Sequence, residues 1–154
     1  MYKEILTEEF NQLRQDIVDA YYKKGMFASG EFERQAEVIV DDFSAKIIGV
    51  RYTEQLEYGR NPSSRFPPRD AIEQWIKDKG VFASAIEEIG ISSLAFLIQR
   101  KIATLGYDRK EHGGVDLINE IVTPERIQSI IDKCTGVALT EFVSSLNLKK
   151  FFEV

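Results

Sequence analysis

Glu37-Val38-Ile39-Val40-Asp41-Asp42-Phe43-Ser44-Ala45-Lys46-Ile47-Ile48-Gly49-Val50-Arg51 holds two short β-branched runs separated by turn residues. Side chains of this kind fit a pleated, half-buried surface, so the stretch predicts an antiparallel hairpin over 37–51. Gly49, inside the second run, points to a bulge or to the close approach of another backbone. A two-stranded hairpin is marginal alone in water and needs a helix across one face or further strands beside it. That requirement sets the expected fold class: α+β, a small antiparallel sheet packed by long helices.

The flanks supply those helices. Thr7 with Glu8 and Glu9 reads as a helix start, and Phe10, Leu13, Ile17, Val18 and Tyr21 repeat at helical spacing up to Gly25. Met26 to Phe32 reads as a turn region. Beyond the hairpin, Ile72, Trp75 and Ile76 form the docking face of a helix that Gly80 stops. Ile86, Ile89, Ile91, Leu94, Ala95, Ile98, Ile102 and Leu105 keep the helical period to Gly106, with Gly90 as a break or kink. This is the most apolar helix, and it is expected at the centre of the core. Asp116 to Val122 is short and β-compatible, a candidate further strand. Thr123-Pro124-Glu125 combines an N-cap, a proline at the first helical position and a first-turn acid. The helix it opens carries Ile127, Ile130, Ile131, Cys134, Ala138 and Phe142 to about Leu146. The 154 residues fit a single α+β domain spanning 1–154, large enough to bury a core without staples.

Between the hairpin and the Trp75 helix lies a stretch of another character. Tyr52 and Leu56 share a helical face that Gly59 ends; then Arg60 to Pro68 contains three prolines, two arginines and Phe66. Pro62, Pro67 and Pro68 each fix φ and remove a donor, which excludes interior helix and central strand. One reading is a plain connection. The other is a preorganised contact loop with Arg60, Pro62, Arg65, Phe66 and Pro67 as its working residues, since immobilising a side chain at an interface costs about 0.5–1.5 kcal/mol. The C-terminal Phe151 and Phe152 are aromatic at a terminus and read as docking on a neighbour.

Composition narrows the function classes. Hydrophobic residues at 44% and charged residues at 29% describe an ordinary globular chain. No run approaches the roughly 18 apolar residues that span a bilayer, and the N-terminus lacks the apolar core of a signal peptide, so no membrane association and a cytoplasmic site of synthesis are expected. A net charge of −5 argues against a general nucleic-acid coat. Local basic patches remain at Arg60, Arg65 and Arg69, at Arg100 and Lys101, and at Arg109 and Lys110. Cys134 reads as a buried structural thiol. His112 is the sole histidine and sits among glycines, so histidine metal sites are excluded and a general base would be poorly held. Phosphate loops, dinucleotide fingerprints and nucleophile elbows are absent, and Asp41 and Asp42 fit turn chemistry. No enzymatic activity and no cofactor are expected.

A helix, the small turn Ala28-Ser29-Gly30, a hairpin, and then Tyr52 leading through Leu56-Glu57-Tyr58-Gly59-Arg60 resembles the tail-completion and head-to-tail joining proteins of tailed phages. In that family the segment before the loop reads as a tyrosine, an acid, then Gly and Arg or Thr, which Tyr52, Glu57, Gly59 and Arg60 match. A subset continues with Pro, then Phe-Pro-Pro, an Ile-x-x-Trp helix and an apolar helix; Pro62, Phe66, Pro67, Pro68, Ile72, Trp75 and Ala95 to Ile98 stand at those places. The resemblance covers roughly Leu6 to Gly106, through diffuse motifs. Asp70 to Gly106 is a helical section that shorter members lack. It implies a structural virion protein without enzymatic activity, forming a ring of identical subunits in the neck between portal-bound adaptors and the tail. Such a protein is made in the host bacterial cytoplasm and meets DNA only incidentally, as the genome passes. The alternative is a small phage-encoded nucleic-acid-binding regulator using Arg60, Arg65 and Arg69 on phosphate.

Overall fold

The computed structural model describes residues 2–42, 44–63, 65–108, 111 and 116–146; Arg109, Lys110, His112 and the tail with Phe151 and Phe152 lie outside the described residues. The order is α1 (Tyr2–Lys23), α2 (Glu31–Gln35), β1 (Glu37–Val40), β2 (Ala45–Ile48), α3 (Thr53–Tyr58), α4 (Arg69–Lys79), α5 (Ala83–Ile89), α6 (Ile91–Leu105) and α7 (Pro124–Ser145). The fold is α+β, a small antiparallel hairpin packed by several long helices.

Helix α1 begins five residues before the expected Thr7, whose hydroxyl donates back to the Lys3 carbonyl at 2.8 Å. The extra turn is held from outside: Tyr2 Oη donates to the Asp42 carbonyl at 2.7 Å, and Lys3 Nζ pairs with the Asp42 carboxylate at 2.9 Å. Leu13, Ile17, Val18 and Tyr21 are buried as their spacing requires. The expected turn region contains one helical turn, α2, entered through Gly30 at φ 74°. Its Phe32 stacks on Tyr21 with ring centroids 4.3 Å apart. Arg14 donates to the carbonyls of Ala36 and Glu33 at 2.6 and 2.8 Å, satisfying acceptors that a helix end leaves open.

The hairpin pairs Glu37 with Ile48 through Val40 with Ala45. Its second strand is shorter than the sequence implies, and Gly49 falls beyond it. The close approach at Gly49 comes from a side chain rather than a backbone: a Cβ there would lie 2.7 Å from Thr53 Oγ1, which donates to the Val50 carbonyl at 2.6 Å. No third strand joins the sheet among the described residues. Asp116–Val122 is a compact turn, with Glu120 N bonded to Asp116 O at 3.1 Å and Val122 N to Ile118 O at 2.7 Å. Leu117, 1% exposed, plugs into the cluster formed by Ile17, Val18, Tyr21, Phe32 and Val50.

A second cluster, Ile72, Ile76 and Ala95, lies between α4 and α6, with Ile86, Ile91, Leu94 and Ile98 around it. Gly80 stops α4 in the left-handed conformation, and Gly90 at φ 78° separates α5 from α6 as an outright break. Two expectations are corrected here. Trp75 is 40% exposed, because it lies a quarter-turn from the Ile72 and Ile76 face; its ring sits 6.2 Å from Phe82. Helix α6 is peripheral: only Ala95 and Ala103 are buried, while Phe96, Leu97 and Leu105 are exposed. Ala95 faces α4 with the half-buried Ile91, Leu94 and Ile98 around it, while Phe96, Leu97 and Leu105 face outward.

Thr123 caps α7 as expected, its hydroxyl accepting from Arg126 N at 3.2 Å. Helix α7 lies antiparallel to α1 through Arg126 with Asp16 and Lys133 with Glu9. Cys134, beside the Tyr2 carbonyl, is half-buried rather than enclosed. The apolar residues of α7 split between two faces, since Ile130 is buried but Ile131 and Phe142 are exposed.

Candidate functional site

The loop at Arg60–Pro68 has few backbone donors, because three of its residues are prolines, and those of Arg60, Ser63 and Arg65 are hydrogen-bonded. Gly59 turns the chain out of α3 with φ 79° and ψ −148°, a region that other residues avoid. Arg60 and Tyr107 then exchange both backbone hydrogen bonds, at 2.8 and 2.6 Å. Gly106 makes that bridge feasible: a Cβ there would stand 2.5 Å from Arg60 O and 2.8 Å from Pro62 Cδ.

From this root the loop runs antiparallel along α6. Ser63 N donates to the Ala103 carbonyl at 2.9 Å. That carbonyl is one of the last of α6, and its usual donor, Tyr107 N, is already given to Arg60. One helical turn further back, Gln99 Nε2 donates to the Pro67 carbonyl. At the end of the loop the Arg69 guanidinium lies 5.2 Å from the centre of the Phe96 ring. Within the loop, Arg60 Nη2 donates to the Arg65 carbonyl at 2.6 Å and Arg65 N to Ser63 Oγ at 3.2 Å. Positions 60, 63, 67 and 69 are thus fastened to 107, 103, 99 and 96.

Of the residues singled out from sequence, Arg60, Pro62, Arg65, Phe66 and Pro67 all lie on this stapled segment. Their roles divide. Arg60 braces the loop from within, Pro62 packs on Gly106, and Pro67 is an anchor point on α6. Arg65 and Phe66 face outward, Phe66 at 50% exposure.

The structure also gives a role to Glu57. It is 3% exposed, the only buried charged side chain among the described residues. Its two carboxylate oxygens accept from the backbone N–H groups of Ile118 and Asn119, at 2.9 and 3.1 Å. Those bonds hold the 116–122 turn and take donors that a strand there would need for its ladder. The sequence signal was slight: one acid next to Leu56 and two residues before a glycine.

Beside the loop root, a cleft of about 600 Å3 opens between the first cluster and α4. Tyr21, Tyr52, Trp75 and Tyr107 line it, with Glu31 and Asp78 at its edge. Lys79 Nζ crosses to the Gly25 carbonyl at 2.6 Å. Burial, followed by the negative charge of Glu31, pushes the Tyr52 hydroxyl up to about 12, so it stays a neutral phenol at physiological pH. Among the described residues no group of three or more His, Cys, Asp or Glu side chains could hold a metal ion, and no helix is long and apolar enough to cross a membrane. No protein-family model matches the chain, and no curated protein or solved structure is measurably similar to it.

Proposed function

We propose that this protein is a structural component of a tailed-phage virion, forming a ring of identical subunits in the neck between the portal-bound adaptors and the tail. One observation carries the reading: the proline-rich segment from Arg60 to Arg69 is fastened at four places to α6 and the Tyr107 just beyond it, yet leaves Phe66 half in solvent and Arg65 exposed. A surface loop that serves only as a connection has no need of so many attachments. A loop ordered in advance loses little entropy when a neighbour meets it, and aromatic and arginine side chains are the usual anchors of such contacts. Repeated head to tail, a contact between unlike surfaces closes a ring when the rotation allows. The resemblance in Tyr52, Glu57, Gly59 and Arg60 supports the same reading.

The test is the pair Arg65→Ala and Phe66→Ala. Truncated anchors typically weaken an interface by about 2 kcal/mol or more, while exposed positions change folding stability by only about 0.5 kcal/mol. The double variant should keep the melting temperature of the free chain and fail to give joined particles in a complementation assay scored by electron microscopy. A large loss of thermal stability with normal joining at a permissive temperature would remove the loop from the functional surface. The nucleic-acid reading is weaker, since Arg60 donates to the Arg65 carbonyl and Arg69 lies over Phe96, so only Arg65 is left to meet phosphate freely.

A further inference from the structure

Helix α7 has two apolar faces, and α1 covers one. Ile127, Ile130, Cys134 and Val137 lie at helical spacing on the α1 side, with Ile130 at 3% exposure. On the other side, Ile131, Leu139, Phe142, Val143 and Leu146 are 50, 59, 61, 56 and 41% exposed. A helix that is apolar on more than one face is ordinarily an interior helix.

The polar residues of this half of α7 do not contradict that. Thr140 Oγ1 donates to the Gly136 carbonyl at 2.9 Å, Ser144 Oγ to Thr140 at 2.7 Å and Ser145 Oγ to Phe142 at 2.7 Å. The hydroxyls of these three are satisfied inside the helix, so covering them strands no donor. From Thr135 to Leu146 the only charged residue is Glu141, which is half-buried and already engaged within the chain.

We infer that the open face of α7, from Ile131 to Leu146, is covered by the same face of a second copy, with the two helices antiparallel. This inference is independent of the neck reading. An isologous contact requires a patch that tolerates itself, and an apolar patch whose exposed charge, Asp132, sits toward one end does so when the two copies run antiparallel. Charge also selects the direction. Glu125 and Asp132 lie on the same side of the helix, toward its N-terminal half. A parallel pair would set each acid against its own copy, whereas antiparallel packing about Leu139, the middle of the face, separates the two Asp132 residues by about 20 Å along the axis at 1.5 Å per residue. That exceeds the ~8–10 Å screening length at ordinary salt.

Area sets the strength. Five apolar side chains about half exposed offer roughly 400–500 Å2 per copy, scaling the four aliphatic ones a little below the 150–250 Å2 of an aromatic. Two copies bury roughly 800–1,000 Å2, the lower end of specific interfaces, which fits a concentration-dependent dimer. Because a two-fold contact is used up at two copies, it forms in the free chain or between paired rings, separate from any neighbour contact around a ring.

Sedimentation of the purified chain from about 1 to several hundred micromolar tests this at the affinities such an area allows. The weight-average mass should climb from 17.6 kDa toward twice that value. Leu139→Glu with Phe142→Glu should stay at the monomer mass at every concentration and keep the melting temperature of dilute wild-type protein. Spin labels on Asp132→Cys in a Cys134→Ser background should report about 20 Å between copies along the helix axis. A wild-type chain that stays monomeric throughout, or an equal rise in the double variant, overturns the proposal. So does a lowered melting temperature in the dilute variant, which would mean that the chain covers this face itself, and so does a short label distance, which would mean parallel packing.

Discussion

The two buried clusters differ in how they are assembled. The first draws Ile17, Val18, Tyr21, Phe32, Val50 and Leu117 from segments spread across more than half the chain. The second has three buried residues, Ile72, Ile76 and Ala95, from two neighbouring helices. The first is closed by a buried carboxylate; the second leaves Trp75, Phe82, Phe96, Leu97 and Leu105 exposed around it. Residues from distant segments must all be in place before such a core closes, so it is the part that carries global stability. The smaller cluster is a platform: it holds α6 straight enough for the loop to lie along it.

That contrast fails most visibly if the first core is not the stabilising one. Leu117→Ala should lower the unfolding free energy in urea by about 2–5 kcal/mol, as for other buried leucines. A loss below about 1 kcal/mol would place the weight elsewhere. A smaller and local effect is expected at the loop root. Gly106→Ala forces a methyl against Arg60 O in a backbone region that only glycine adopts freely, a strain of about 1–3 kcal/mol. Amide hydrogen exchange should rise at Arg60, Ser63 and Tyr107 and stay unchanged at Val18 and Tyr21. Equal acceleration in both sets would show the two regions to be one cooperative unit.

The smallest effect concerns the α1 and α7 contact. Burial raises the Asp16 carboxyl, but hydrogen bonds from Arg126 and Gln12 outweigh this and hold it below the usual carboxylate value. A depressed folded pKa gives stability that is complete above the unfolded value, near 3.9, and is lost as pH falls through the folded one. With side chains 30 and 33% exposed, the contribution is at most about 1 kcal/mol. Asp16→Asn should therefore flatten the decline of the urea midpoint below about pH 4. An acid limb as steep as the wild-type one would mean that other carboxylates set it.

Much of the fold was legible because local signals mark element ends. Thr123-Pro124, Gly80, Gly90 and the Asp41–Ser44 turn lie where their chemistry puts them. What was not legible depends on distant partners. Asp116–Val122 has strand-like residues, yet Glu57, some sixty positions earlier, takes its N–H groups. The periods of α4 and α6 are real, but a period does not say which apolar side chains meet a partner, and so Trp75 and Leu105 were misplaced. The loop's stiffness could be read from Pro62, Pro67 and Pro68. Its course along α6 could not, because Ser63 with Ala103 and Pro67 with Gln99 are pairings between remote residues without a motif.

Glu57 has a topological consequence. By gripping Ile118 and Asn119, it brings the chain back to the point from which it departed, so everything from Tyr58 to Leu117 is a closed excursion. The loop, α4, α5 and α6 all lie on it. Closing so long a detour costs little more entropy than closing a short one, since the penalty grows only with the logarithm of length. In geometric terms the excursion is an insertion: its two ends are so near that a few residues could join them. A change of length within this excursion therefore adds little closure entropy to the cost of folding the hairpin and its covering helices.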